Sequence, residues 1–98
     1  MTKTEILQEI RQLTREQLKG HEVDVYLFGS WAKGTQARTS DVDLRIDAHQ
    51  PLPAGTLATL RERLEENHIP YRVEVVDLST VAPAFREAVI REGIRWND

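Results

Sequence analysis

The sequence predicts an α/β (α+β) fold: a small mixed sheet of three or more strands packed against helices. Three observations predict it. Two long segments carry apolar residues at helical spacing, Thr4 to Lys19 and the stretch marked by Leu57, Leu60 and Leu64. Two short runs, "VDVYLF" and "YRVEVVDL", are rich in β-branched and aromatic residues. Between them "DVDLRID", Asp41 to Asp47, alternates strictly between charged and apolar side chains. With these elements interleaved over 98 residues, the chain reads as one domain, 1–98.

Taken in order, Ile6, Ile10, Leu13 and Leu18, with Leu7 beside them, form one stripe of the first helix, and Gly20 is a stop signal. Val23 to Phe28 is a strand that ends at Gly29. Asp41 to Asp47 is the second strand, with Val42, Leu44 and Ile46 turned to the core. "QPLPAG" is a loop, followed by a helix ending near Asn67. Pro70 introduces the third strand. Pro83 suits the first turn of a last helix, in which Phe85, Ala88 and Val89 face the core, and Gly93 ends it to leave "IRWN" as a tail.

Composition narrows the function classes. Charged residues make up 30% and apolar residues 40%, the balance of a folded globular chain. No run approaches the roughly 20 apolar residues of a membrane span, and "MTKTEILQEI" lacks the apolar region of a secretory signal. There is no cysteine, so disulfides and thiolate metal sites are excluded, and a cytoplasmic location is the simplest expectation. Thirteen basic against 16 acidic residues leave a net charge of −3, which argues against an extended nucleic-acid surface. A small phosphorylated ligand held by one loop and a metal ion remains compatible with that balance.

The stretch "FGSWAKGTQARTSDVDL", Phe28 to Leu44, carries the chemistry. Residues two apart on a strand point the same way, so Asp41 and Asp43 share a face with Arg45 and Asp47. Two neighbouring carboxylates repel unless a cation lies between them, and rigidly held oxygen ligands suit Mg²⁺. The plainer alternative is the solvated face of an edge strand. Gly29 permits a sharp turn and close approach of backbone to a ligand. Ser30 begins a segment whose N–H groups and hydroxyl can receive phosphate oxygens if Trp31 to Lys33 forms a helical turn; an ordinary turn with a Ser cap is the alternative. Gly29 and Gly34 have P-loop spacing, but Thr35 stands where the lysine is required, so a Walker A motif is excluded.

Gly29-Ser30, ten intervening residues and then Asp41-x-Asp43 on a strand–loop–strand pattern resembles the signature of the polymerase β-like nucleotidyltransferase superfamily. Within it the chain resembles the minimal nucleotidyltransferases (MNT proteins), and "YRVEVVDLSTVAPAFREAVIREGI" is similar to their third-strand and last-helix region. The resemblance implies the nucleotidyltransferase fold and an enzyme that moves a nucleoside monophosphate. Gly29 and Ser30 would hold the triphosphate of ATP or another nucleoside triphosphate, with Lys33 in the same loop. Asp41 and Asp43 would bind Mg²⁺ or Mn²⁺. The third catalytic and metal-binding carboxylate, an aspartate in the family pattern, falls on Glu74, and Asp77 is sent to the opposite strand face by alternation. The added methylene of Glu74 matters because catalytic geometry is sensitive to displacements near 1 Å.

The resemblance also implies a partner: a small helical HEPN protein, with the nucleotidyltransferase as antitoxin adenylylating a tyrosine of a HEPN toxin. Two alternatives stand beside it. One is a weak or inactive nucleotide-binding module that neutralises its partner by contact. The other is a transferase acting on a small molecule or an RNA end. No membrane contact is expected, and homo-oligomerisation stays open. Arg38 is a second loop cation, Arg45 could neutralise Asp43 or Asp47, and His21, His49 and His68 lack metal-ligand spacing and take no role. Trp96 reads as a packing residue or a contact for a partner rather than a base-stacking platform, and Tyr26 and Tyr71 read as core or near-core residues.

Overall fold

A computed structural model describes residues 2–96. Helix α1 spans Lys3–Gln17 and strand β1 Val23–Phe28; a short helix α2, Ser30–Lys33, precedes strand β2, Val42–Ala48. Helix α3, Thr56–Glu66, leads to strand β3, Val73–Asp77, and a 3₁₀ turn at Leu78–Thr80. Helix α4, Pro83–Glu92, and strand β4, Ile94–Arg95, complete the order. The four-stranded sheet runs β3-β2-β1-β4 and is mixed. β1 lies antiparallel to β2 and β4, whereas β2 and β3 are parallel. A parallel pair needs a crossover, which α3 supplies.

Alternation divides the sheet into two faces. Val42, Leu44 and Ile46 are each 0% exposed and pack with Val25, Leu27 and Val75 against Ile6 and Ile10 of α1 and Leu60 and Leu64 of α3. Full burial of such side chains contributes about 1.5–3 kcal/mol each. The first helix starts one residue earlier than the periodicity predicts because Thr2 and Glu5 form a capping box. Its buried stripe includes Thr14, whose hydroxyl donates to the Ile10 carbonyl at 2.7 Å and so enters the core without an unmet donor.

The opposite face is covered more lightly. Tyr26, Leu78 and Val89 form a small second cluster there, with Phe28 and Val81 at its margin. Pro83 occupies the first turn of α4 as expected, but Phe85 is 36% exposed rather than a core residue. Helix α4 crosses the charged half of the sheet, so Phe85 ends at the rim, edge-on to Phe28 with ring centroids 5.8 Å apart. The expected tail also differs: Ile94 and Arg95 pair with Leu27 and Tyr26, the Trp96 N–H donates to the Val25 carbonyl at 2.7 Å, and Trp96 is buried. Asn97 of that segment lies outside the described residues. Gly93 makes the close return possible, since a Cβ there would lie 2.7 Å from the Val89 carbonyl oxygen. Among the described residues no helix is long and apolar enough to cross a membrane.

Candidate functional site

The end of β1 and the start of β2 bring the two halves of the motif together. Phe28 and Asp43 are register partners, so Gly29, one residue beyond the strand, lies over the Asp43 side chain. Gly29 has φ +73°, and a Cβ at this position would collide with the Asp43 carboxylate Oδ2. Backbone conformation and space therefore both require glycine. The chain then turns directly into α2, with the Lys33 N–H donating to the Gly29 carbonyl at 3.1 Å.

The loop between α2 and β2 is anchored by Trp31, a residue to which the sequence reading assigned no function. Its Nε1 donates to the Ser40 carbonyl at 3.3 Å, and its ring packs edge-on against Tyr71 at 4.9 Å. The Ser40 hydroxyl in turn accepts from the Ala37 N–H at 2.8 Å. These contacts deliver Asp41, half-buried, to the mouth of β2, where the Val42 N–H opens the parallel ladder by donating to the Arg72 carbonyl at 2.9 Å. A buried tryptophan directly after a Gly-Ser turn was the available signal for this anchor.

Asp43 and Glu74 are paired residues across β2 and β3, so the strand phase places Glu74 beside Asp43. Asp77 falls opposite Ile46, and its carboxylate accepts from the Ser79 N–H at 2.9 Å, capping the 3₁₀ turn. Burial pushes the Asp43 carboxyl above the usual range; the Arg45 guanidinium opposes this, and the charges of Glu74 and Asp41 add to it. Arg45, on the same face and 6% exposed, lies between the two strand carboxylates. Its Nη2 is 3.1 Å from Glu74 Oε1 and 3.6 Å from Asp43 Oδ1. Asp47 belongs to a different pair, a two-pronged contact with Arg86 of α4 at 2.8 and 3.2 Å.

The remaining candidates divide. Ser30 is half-buried next to Gly29, whereas Arg38 is exposed. Lys33 is exposed and 4.0 Å from Glu92, a surface pair of little energetic weight. His49, given no role, accepts an ion-pair role at the other end of the sheet: its Nε2 lies 2.9 Å from Asp24 Oδ2, and Arg95 holds Asp24 Oδ1 at 3.0 Å.

The carboxylate set fits a hard divalent cation in kind: oxygen donors, one of them partly desolvated and within reach of two like charges as well as of Arg45. Its arrangement is incomplete. Among the described residues no three acidic, His or Cys side chains are grouped so as to hold a metal ion, and Glu74 is engaged by Arg45. The oxygen donors at the strand mouth are those of Asp41, Asp43 and Glu74, the last already paired with Arg45 through Oε1.

Known proteins share this architecture. At 37% identity over 65 residues, 66% of this chain and 57% of the other, the chain is similar to "Probable protein adenylyltransferase MntA" of Haemophilus influenzae, and so spans little more than half the length of that relative. A solved candidate minimal nucleotidyltransferase is 32% identical, with a TM-score of 0.73 over 92% of each chain. A toxin–antitoxin structure with AMP-PNP is 26% identical, with a TM-score of 0.71 over 98% of this chain and 73% of that one. The model of the family described as "Polymerase beta, Nucleotidyltransferase" matches residues 6–95. That match runs from α1 to β4 and takes in both the glycine turn and the carboxylate strand, and the chain accordingly belongs to the polymerase β nucleotidyltransferase family.

Proposed function

We propose that this chain is a Mg²⁺-dependent nucleotidyltransferase that transfers AMP from ATP to a tyrosine of a helical HEPN-type partner, acting as the antitoxin of a toxin–antitoxin pair. The observation that carries the reading is the close approach of Gly29 to Asp43, which sets the glycine turn against a strand carboxylate. Support also comes from the relatives, one named as a protein adenylyltransferase and one solved in a toxin–antitoxin assembly with an ATP analogue.

In this reading Gly29, Ser30 and Lys33 hold the triphosphate, and Asp41, Asp43 and Glu74 hold the cation. A bound Mg²⁺, or Mn²⁺ in its place, would neutralise phosphate charge that develops during transfer. The turn at Gly29 fixes the triphosphate relative to β2, and positioning is the chief demand of phosphoryl chemistry. The acceptor hydroxyl oxygen forms the new bond to the α-phosphorus, the bond to the pyrophosphate leaving group breaks, and the hydroxyl proton passes to a carboxylate at the strand mouth.

One observation favours a second reading, a nucleotide-binding module that neutralises its partner by contact: Glu74 is held by Arg45 rather than grouped with both aspartates. Incubation with a HEPN partner, ATP and Mg²⁺ separates the two. The enzyme adds an adenylate mass to the partner, and Asp43→Asn abolishes it. A contact-only antitoxin leaves the partner's mass unchanged and still neutralises it with Asp43→Asn.

A further inference from the structure

Arg45 occupies an unusual position. Arginine is rarely buried unless paired, and here it lies almost wholly buried on the strand face that carries the candidate metal ligands. Its contacts with Glu74 are double: Nη2 reaches the carboxylate at 3.1 Å while Nη1 donates to the same residue's backbone carbonyl at 3.1 Å. Nη1 also reaches the Leu44 carbonyl at 3.3 Å, and the guanidinium carbon lies 5.8 Å from the centroid of the Phe85 ring. The Nε is buried and has no hydrogen-bond partner. One cation therefore stands between Asp43 and Glu74, the two carboxylates that a divalent ion would need to share.

We propose that Arg45 is a positioning residue that serves as an internal counter-ion, holding Glu74 beside Asp43 and competing with a divalent cation for both carboxylates. This rests on the metal-dependent reading above. Two cations sharing Glu74 Oε1 at short range repel each other, so a metal that takes this oxygen does so in exchange for the guanidinium. Glutamate suits this exchange: its longer side chain bends back to the guanidinium that its own carbonyl already holds, and it has freedom to swing away. Arg45 thereby lowers the affinity for a free divalent ion. It leaves full assembly to conditions that add more negative charge, such as the triphosphate itself.

The test is a Mn²⁺ titration of the full chain followed by electron paramagnetic resonance of the free ion, with and without AMP-PNP, alongside thermal melts. Arg45→Met keeps length and removes charge; Arg45→Lys keeps charge and removes the fork. Arg45→Met is expected to bind Mn²⁺ about tenfold more tightly than the unaltered chain, with Arg45→Lys between them. Its metal-free melting temperature should fall while its rise on adding Mn²⁺ grows, and adding Glu74→Gln should remove most of the gain. Unchanged or weaker Mn²⁺ affinity in Arg45→Met, or in Arg45→Lys should the Met variant not fold, overturns the counter-ion role while leaving the metal-dependent reading in place. Absence of Mn²⁺ binding in the unaltered chain and in every Arg45 variant, with and without AMP-PNP, overturns that reading and this inference together.

Discussion

Gly29 and Asp43 are in direct contact across the turn between β1 and β2, and the Asp43 carboxylate fills the space a side chain on Gly29 would need. Gly29→Ala is expected to lose stability on two counts. With φ +73° and ψ −150° the backbone occupies a region essentially reserved for glycine, which costs an L-residue about 1–3 kcal/mol, and Asp43 must also move. Stabilisation of the fold by ATP and Mg²⁺ should disappear as well. Chemical denaturation with and without the nucleotide measures both effects; an alanine variant as stable and as responsive as the unaltered chain would remove Gly29 from the site.

The contact of Trp31 with Ser40 leads to a second expectation. Trp31→Phe keeps the ring against Tyr71 and deletes only the donor to the Ser40 carbonyl, which should cost about 1 kcal/mol. The effect should concentrate in the loop: amide exchange from Ala37 to Val42 should quicken while that of Leu44 and Ile46 stays slow. Uniform acceleration along β2 would mean that Trp31 supports the sheet as a whole rather than the approach to Asp41.

What the sequence revealed, and what it concealed, follows from how local each interaction is. Strand β2 was legible because Val42, Leu44 and Ile46 alternate with charged residues and all three reach zero exposure. The pairing of Glu74 with Asp43, rather than Asp77, followed from the same two-residue period. Strand β4 has two residues, too few for any period, and forms because Gly93 lets the backbone close on β1. Phe85 reads as a core residue by helical spacing, yet α4 meets Arg45 through Phe85 and Asp47 through Arg86, where little apolar surface waits for it. Arg45 with Glu74, and His49 with Asp24, join residues 29 and 25 positions apart, so only strand register could reveal them.

Alternation on β3 makes a prediction about two carboxylates. Glu74→Gln should lower nucleotide transfer, because it removes a charge beside Asp43. Asp77→Asn should leave transfer unchanged, since its carboxylate faces away and caps the 3₁₀ turn through the Ser79 N–H. Asp77→Ala should cost stability, about 1 kcal/mol for a lost cap. Radiolabelled transfer to the partner, paired with denaturation of each variant, separates the roles. Loss of transfer in Asp77→Asn with none in Glu74→Gln would place the site on the other face of the sheet.

The cluster of Asp24 on β1, His49 after β2 and Arg95 on β4 should give stability a pH dependence far from the glycine turn. The hydrogen bond to Asp24 raises the His49 pKa above its ordinary 6.5; loss of hydration opposes it as the next-largest effect, and the charges of Asp24, Asp47 and Glu22 add to the rise. A base whose pKa is raised by folding binds its proton more tightly when folded. Its contribution is therefore fully present below about 6.5 and is lost as pH rises through the higher folded value. Asp24 has the opposite sign. Burial alone would raise its pKa, but the bonds from His49 and Arg95 prevail and hold it below 3.8, so its contribution is lost only as pH falls through that lowered value. The pair should therefore stabilise most between these limits, in mildly acidic solution. His49→Gln keeps a donor and removes the titration. Its melting temperature should fall below that of the unaltered chain near pH 6, and the gap should narrow as pH rises past neutrality. A gap that stays constant from pH 6 to alkaline pH would show that His49 holds Asp24 as a neutral hydrogen-bond donor and that the ion pair contributes nothing.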